Sequence, residues 1–214
     1  MIAVLLADDH AIVREGLRMI LEAQEDIQVV GEAADGRQAV RLAREARPAV
    51  VLMDIAMPEL NGVEATRMLH AEQANIAVVI LSMHATAEHI HRAFQAGARG
   101  YLLKESAGKE VVEAVRTVRQ GRRYLSPPIA DLMLEGQLHP EGAGRSPLES
   151  LSAREREILQ YVVEGKSSAE IAGVLFLSPK TVETYRSRLM HKLGVGDVPS
   201  LVKFAIQHGL TTLG

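Results

Sequence analysis

The sequence predicts a doubly wound α/β domain on a five-stranded parallel sheet, followed by a smaller all-α domain of four helices carrying a helix-turn-helix. Three observations carry this expectation. Five short apolar runs alternate with helical periods up to residue 121, a stretch rich in proline and glycine interrupts the pattern, and every later segment reads as helical.

The apolar runs are Val4–Ala7, Ile27–Ala33, Val50–Met53, Ala77–Leu81 and Gly100–Leu103. Four are almost uniformly apolar, which suits parallel strands covered on both faces. Amphipathic stretches lie between them. Val13, Leu17, Ile20 and Leu21 share one helical face, as do Val111, Val112, Val115 and Val118. Residues 122–149 hold Pro127, Pro128, Pro140 and Pro147 with Gly136, Gly142 and Gly144, so they read as a linker with a short helix near Ile129–Leu134. In the last part, residues 150–214, Ser152 caps a helix bearing Ile158, Leu159, Val162 and Val163, and Gly165 ends it. Ser168–Leu175 gives a second, short helix. Ser178 with Pro179 opens a third, to about Leu193, and Pro199–Gln207 forms a fourth.

Composition narrows the chemistry. With 214 residues, 47% of them hydrophobic, the chain can fill two real cores. The absence of cysteine excludes disulfides, thiol catalysis and thiolate-bound zinc. No apolar run approaches the ~20 residues that span a bilayer, and the amino terminus lacks a basic leader, so a cytoplasmic protein is expected. Charge divides unevenly. Residues 1–121 hold 13 Lys+Arg against 17 Asp+Glu, whereas residues 150–214 hold 8 against 6, as expected if only the second part meets a polyanion.

The reactive groups of the first domain share one address. Asp8 and Asp9 follow the first strand, Asp54 ends the third, Ser82 ends the fourth and Lys104 follows the fifth. Ligands of open parallel sheets bind beyond the carboxyl ends of the strands, so these groups should converge on one crevice. Each alone reads as a cap, a turn residue or a solvated lysine; their joint placement reads as a site. Close carboxylates repel one another, and a bound divalent cation and the Lys104 ammonium are two ways to relieve this. Mg²⁺ suits hard oxygen ligands that leave room for waters and a phosphoryl oxygen.

At this point the stretch Leu6-Ala7-Asp8-Asp9-His10, the segment Met53-Asp54-Ile55-Ala56-Met57-Pro58-Glu59-Leu60-Asn61-Gly62, and then Ser82 and Lys104 resemble the receiver domain of two-component response regulators, a flavodoxin-like fold, over residues 1–121. The resemblance implies that Asp54 accepts a phosphoryl group from a sensor histidine kinase. It implies Mg²⁺ on Asp9, Asp54 and the Ala56 backbone carbonyl, with Asp8 acting through water. Lys104 would pair with the phosphoryl group, Ser82 would swing to hydrogen-bond it, and Tyr101 would turn inward as the switch partner. Many receivers carry proline after the lysine, where this chain has Glu105, and a small residue where this chain has Met83. Met83 is expected to shield the acyl phosphate from water, and His84 lies at the pocket mouth by the same resemblance.

In the third helix of the second domain, Val182, Tyr185, Leu189 and Leu193 share an inward face, and Lys180, Glu183, Thr184, Ser187, Arg188 and His191 lie opposite. Periodicity alone is equally consistent with an ordinary helical hairpin. The strings Leu151–Leu159, Glu170-Ile171-Ala172 and Leu177–Ser187 resemble the LuxR/NarL/FixJ-type DNA-binding domain across residues 150–214. That resemblance implies base contacts from Glu183, Thr184 and Ser187, and phosphate contacts from Lys180, Thr181, Arg186 and Arg188, with Lys166 as an addition. Relatives often carry lysine at the position of Glu183; a carboxylate there can accept from cytosine N4 or be turned aside by Arg186 or Ser187. The apolar fourth helix, with Leu201, Val202, Phe204, Ala205 and Ile206, fits a symmetric dimer on double-stranded DNA.

Two other functions share parts of this pattern. A haloacid-dehalogenase-type phosphatase also uses a nucleophilic aspartate, but it needs a second Asp two residues on, where this chain has Ala56, so no turnover enzyme is expected. A phosphorelay or interaction module would keep the pocket but not meet DNA. The expected whole is a transcription factor switched by phosphorylation, with control of dimerisation and DNA binding and no membrane partner.

Overall fold

The computed structural model describes residues 1–83, 86–138, 147–208 and 210, and the chain divides into two compact units, Met1–Ala143 and Gly144–Gly214. His84 and residues 139–146 of the expected linker lie outside the described residues.

In the first unit the strands are β1 (Ile2–Ala7), β2 (Ile27–Ala33), β3 (Val50–Asp54), β4 (Ala77–Ser82), β5 (Gly100–Leu103) and β6 (Tyr124–Leu125), all parallel, in the order β2-β1-β3-β4-β5-β6. Helices α1 (Ala11–Glu22), α2 (Gly36–Ala46), α3 (Gly62–Glu72), α4 (Ala87–Gln95) and α5 (Lys104–Arg119) connect them. Alternating side chains feed two cores. Leu5, Val51, Met53 and Ile80 pack with α2, α3 and α4, whereas Val4, Leu6, Leu52 and Val79 pack with α1 and α5. Burial on both faces is why β3 and β4 have no exposed residue and why their sequences do not alternate.

The sheet has a sixth strand where five are expected. Tyr124 N donates to Arg99 O at 3.0 Å and Ser126 N to Tyr101 O at 3.2 Å, which docks a two-residue strand on β5. Helix α6 then runs over Pro127–Leu138, longer than the short helix anticipated near Ile129–Leu134. Its two prolines stand in the first turn, where their missing N–H groups cost nothing. Ile129 enters the α4-side core, with Leu132 and Met133 packed against it. Among the described residues no peptide is cis, Lys104–Glu105 included.

The second unit has a 3-10 turn at Pro147–Ser150 and helices α7 (Ala153–Val163), α8 (Ser168–Leu175), α9 (Pro179–Leu193) and α10 (Val198–Gln207). Ser152 and Ser167 each form a capping box with the glutamate three residues on, and Ser178 caps α9 with Pro179 at its first position. The core joins Leu151, Ile158, Leu159, Ile171, Val182, Leu189, Leu201 and Ala205. An ion pair of 2.6 Å between Lys192 and the buried Glu155 fastens α9 to α7.

Candidate functional site

The sheet brings the predicted pocket residues together. Strand order reverses beside β1, and the register sets Ala7 against Met53, Asp54 against Leu81 and Ser82 against Leu103, so the ends of four strands lie side by side. The loop after Asp54 folds back on itself. Ile55 N donates to Leu81 O and Gly62 N to Ile55 O, and Glu59 adopts φ 66°. Gly62 is required by space, since a Cβ there would stand 1.9 Å from the Asp54 carbonyl oxygen.

Asp8 and Asp54 are buried, at 1% and 3% exposure, whereas Asp9 lies at the rim. Lys104, the first residue of α5, places Nζ 2.8 Å from Asp8 Oδ2 and 3.0 Å from Asp54 Oδ2. The Lys104 ammonium is thus shared between the two buried carboxylates. Burial and the neighbouring Asp8 carboxylate push the Asp54 carboxyl up to about 7, against the opposing pull of Lys104. For Lys104 the balance reverses: burial opposes its charge, but Asp54 and Asp8 outweigh burial and raise its pKa. One cation among three carboxylates gives both results. The pocket is short of positive charge.

Two contributors escaped the sequence reading. His10 Nδ1 lies 2.7 Å from Asp9 Oδ1 and 3.2 Å from Asp8 Oδ1, and its backbone N–H donates to Asp8 Oδ1 at 2.9 Å. Arg14 Nη1 donates to the Asp8 carbonyl at 2.6 Å, while its Nε pairs with Glu32. The signal was present, since Arg14 falls one helical turn after His10. Asp8, Asp9, His10 and Asp54 each offer a ligand atom, all within 4.8 Å of one another. This set of hard oxygen donors, with three carboxylates against one lysine, fits a divalent cation.

Ser82 is buried at the pocket wall and hydrogen-bonds to Tyr101. Tyr101 already stands fully inside, and burial pushes its hydroxyl up to about 12. Ala56 follows in the Asp54 loop, and Met83 is 61% exposed just past Ser82.

On α9 the structure buries Val182 and Leu189 fully and packs Tyr185 and Leu193 against the core. Lys180, Glu183, Thr184, Ser187 and Arg188 are exposed, and Thr181 and Arg186 are half-buried. Thr181 Oγ1 shares a 2.8 Å hydrogen bond with the Ser178 cap, and Thr184 Oγ1 donates to Lys180 O at 2.9 Å. Glu183 is tied to Ser168 and Arg186.

Residues 4–116 match the family described as response regulator receiver domain, and residues 149–205 match bacterial regulatory proteins of the luxR family. Response regulator UvrY of Escherichia coli K12 is 46% identical over 211 residues, 98% of this chain and 96% of its own. The chain belongs to the LuxR-type response regulators. As such it joins a receiver to a DNA-binding output domain and regulates transcription. Its fold also resembles RcsB from Salmonella enterica serovar Typhimurium bound to promoter rprA with a phosphomimetic beryllofluoride. That match has TM-score 0.63 and 25% identity, over 95% of this response regulator and 97% of RcsB. A second RcsB structure shows two dimers on two parallel DNAs, with TM-score 0.59 and 26% identity over 95% of this chain and 96% of that one. The family regulates transcription rather than turning over a substrate, and no helix among the described residues is long and apolar enough to cross a membrane.

Proposed function

We propose that Asp54 takes a phosphoryl group from a sensor histidine kinase and that this modification controls dimerisation and sequence-specific DNA binding in the cytoplasm. The observation that carries the reading is the buried Asp54 carboxylate held 3.0 Å from the Lys104 ammonium at the sheet's switch point. One Asp54 oxygen attacks phosphorus, the phosphorus–nitrogen bond of the donor phosphohistidine breaks, and the imidazole leaves with its electron pair. Lys104 stabilises charge on the transferred oxygens, and Ser82 exchanges its bond with Tyr101 for one to the phosphoryl group. Asp9, Asp54 and the Ala56 carbonyl would hold Mg²⁺, with Asp8 acting through water, and the ion would supply the positive charge that the pocket lacks. The receiver thus promotes its own phosphorylation and, through water, its dephosphorylation. Ala56 supplies no general acid for turnover on other substrates.

Residues 1–121 act as the receiver, 122–149 as the connection, although β6 and α6 pack on the first unit, and 150–214 as the output domain. Thr184, Ser187 and Glu183 face bases, while Lys180, Thr181, Arg186 and Arg188 meet phosphates. Val202 and Ile206 on α10 are partly exposed outside the core and supply apolar surface for a symmetric dimer. RcsB, 26% identical, is bound to DNA as dimers, which supports a dimeric state for this chain on DNA. The test is DNA binding with and without a small phosphodonor, by wild type and Asp54→Asn: a gain is expected in the first and none in the second.

Met83 follows Ser82 and is exposed. A flexible apolar side chain there restricts water at the acyl phosphate. Met83→Ala should shorten the half-life of the phosphorylated protein severalfold in a dephosphorylation time course; an unchanged half-life would remove the shielding role.

A further inference from the structure

Among the residues assigned to DNA, Glu183 carries the wrong charge for a polyanion, and its surroundings explain what it does there. Ser168 Oγ donates to Glu183 Oε1, and Arg186 Nη1 donates to the same Ser168 oxygen at 2.7 Å. Glu183 Oε1 also lies 3.6 Å from Arg186 Nη1. A serine hydroxyl has one proton to give and lone pairs to accept with, and here both capacities are in use. The three groups close on one another. Ser168 opens α8, whereas Glu183 and Arg186 are one turn apart on α9, so the triad ties together the two helices of the helix-turn-helix. The Arg186 side chain is 22% exposed and the Glu183 side chain 61%, so the guanidinium is largely covered while the carboxylate keeps free lone pairs toward solvent.

We propose that Glu183 is a specificity-determining residue: its carboxylate occupies Arg186 in place of a DNA phosphate and releases it where a base edge offers an amino group. The proposal rests on the DNA-reading face assigned to α9 above. In the major groove, cytosine N4 and adenine N6 are the donors a carboxylate can accept from. On a site presenting one, Glu183 turns to the base and Arg186 becomes available to the backbone. On other sequences the carboxylate stays with Arg186 or stands unpaired against the phosphates, and binding is weaker. Selectivity then arises as much from what Glu183 withholds on wrong sites as from what it contributes on right ones.

The test uses the full chain, a random-sequence duplex, and a duplex recovered by selection with the wild type. Binding is measured across a salt series for Glu183→Ala, Arg186→Ala, their double variant and Ser168→Ala, with thermal unfolding as a check on folding. Glu183→Ala should tighten random-duplex binding by about three- to tenfold. It should steepen the salt slope by about one unit, the value of one added phosphate contact, and it should weaken binding to the selected duplex. In the Arg186→Ala background the gain and the steeper slope should disappear. Ser168→Ala, which leaves both charges in place, should give part of the gain. The same gain with and without Arg186 would overturn the proposal, because the carboxylate would then act by repulsion alone; no gain at all would also overturn it. Failure of the wild type to bind either duplex would instead remove the DNA-reading assignment on which the proposal stands. If Glu183→Ala unfolds, Glu183→Gln reads the same cycle.

Discussion

Asp54→Asn should make the metal-free receiver more stable at pH 8 while removing its phosphate acceptor. Burial raises the Asp54 carboxyl from its ordinary value near 3.8 to about 7, with Asp8 adding to the effect. Between those two values the folded state holds a proton that the unfolded state has lost. Stability therefore falls as pH rises through that window, and the full penalty persists above it. The shift corresponds to roughly 4 kcal/mol at pH 8, a large share of the stability of an ordinary domain. Asparagine keeps the shape and removes the charge. In chelator-treated buffer, the first-unit unfolding midpoint of the wild type should drop between pH 5 and pH 8, and that of Asp54→Asn should remain nearly flat. Added Mg²⁺ should restore the wild type far more than the variant. A wild-type midpoint that rose over this range would show that Lys104 alone satisfies the carboxylates.

Lys104→Met should cost phosphoryl transfer about 10²–10³-fold, the usual loss for one preorganised charge partner of a developing anion. Nζ lies within 3.0 Å of carboxylate oxygens of both Asp8 and Asp54, and the side chain is only 8% exposed, so solvent cannot replace it. Removing one partner of a buried pair typically costs about 3–5 kcal/mol. The loss here should be smaller, since Asp54 answers by keeping its proton. A time course of intact mass with a small phosphodonor and Mg²⁺ measures the rate. Transfer within about twofold of wild type would mean that the cation carries the charge without help from Lys104.

Much of this pocket was legible before the fold. Uniformly apolar runs such as Val50–Met53 suit doubly covered strands, and once strands are placed, Asp8, Asp54, Ser82 and Lys104 fall at one edge. The serine caps at 152 and 178 and the position of Pro179 were equally plain, because each satisfies free N–H groups at a helix start. The strand Tyr124–Leu125 was not legible. Two residues carry no period, and their pairing depends on Arg99 and Tyr101, more than twenty positions earlier. Pro127 and Pro128 read as breakers because sequence does not show whether a proline lies in the first turn or the middle of a helix. The Glu183 network was half visible: Arg186 lies one turn away on the same helix, but Ser168 joins through tertiary packing. The carboxylate therefore read either as facing cytosine or as turned aside by Arg186 or Ser187. The two alternatives become successive states once Ser168 holds the second in place.

If chemistry at Asp54 sets DNA binding by the second unit, one comparison shows it directly. Binding of the full chain to its selected duplex is titrated with and without a small phosphodonor in Mg²⁺, for wild type and Asp54→Asn. The donor should tighten wild-type binding and leave the variant unchanged. Donor-dependent tightening that survived in Asp54→Asn would contradict this and place the acceptor elsewhere.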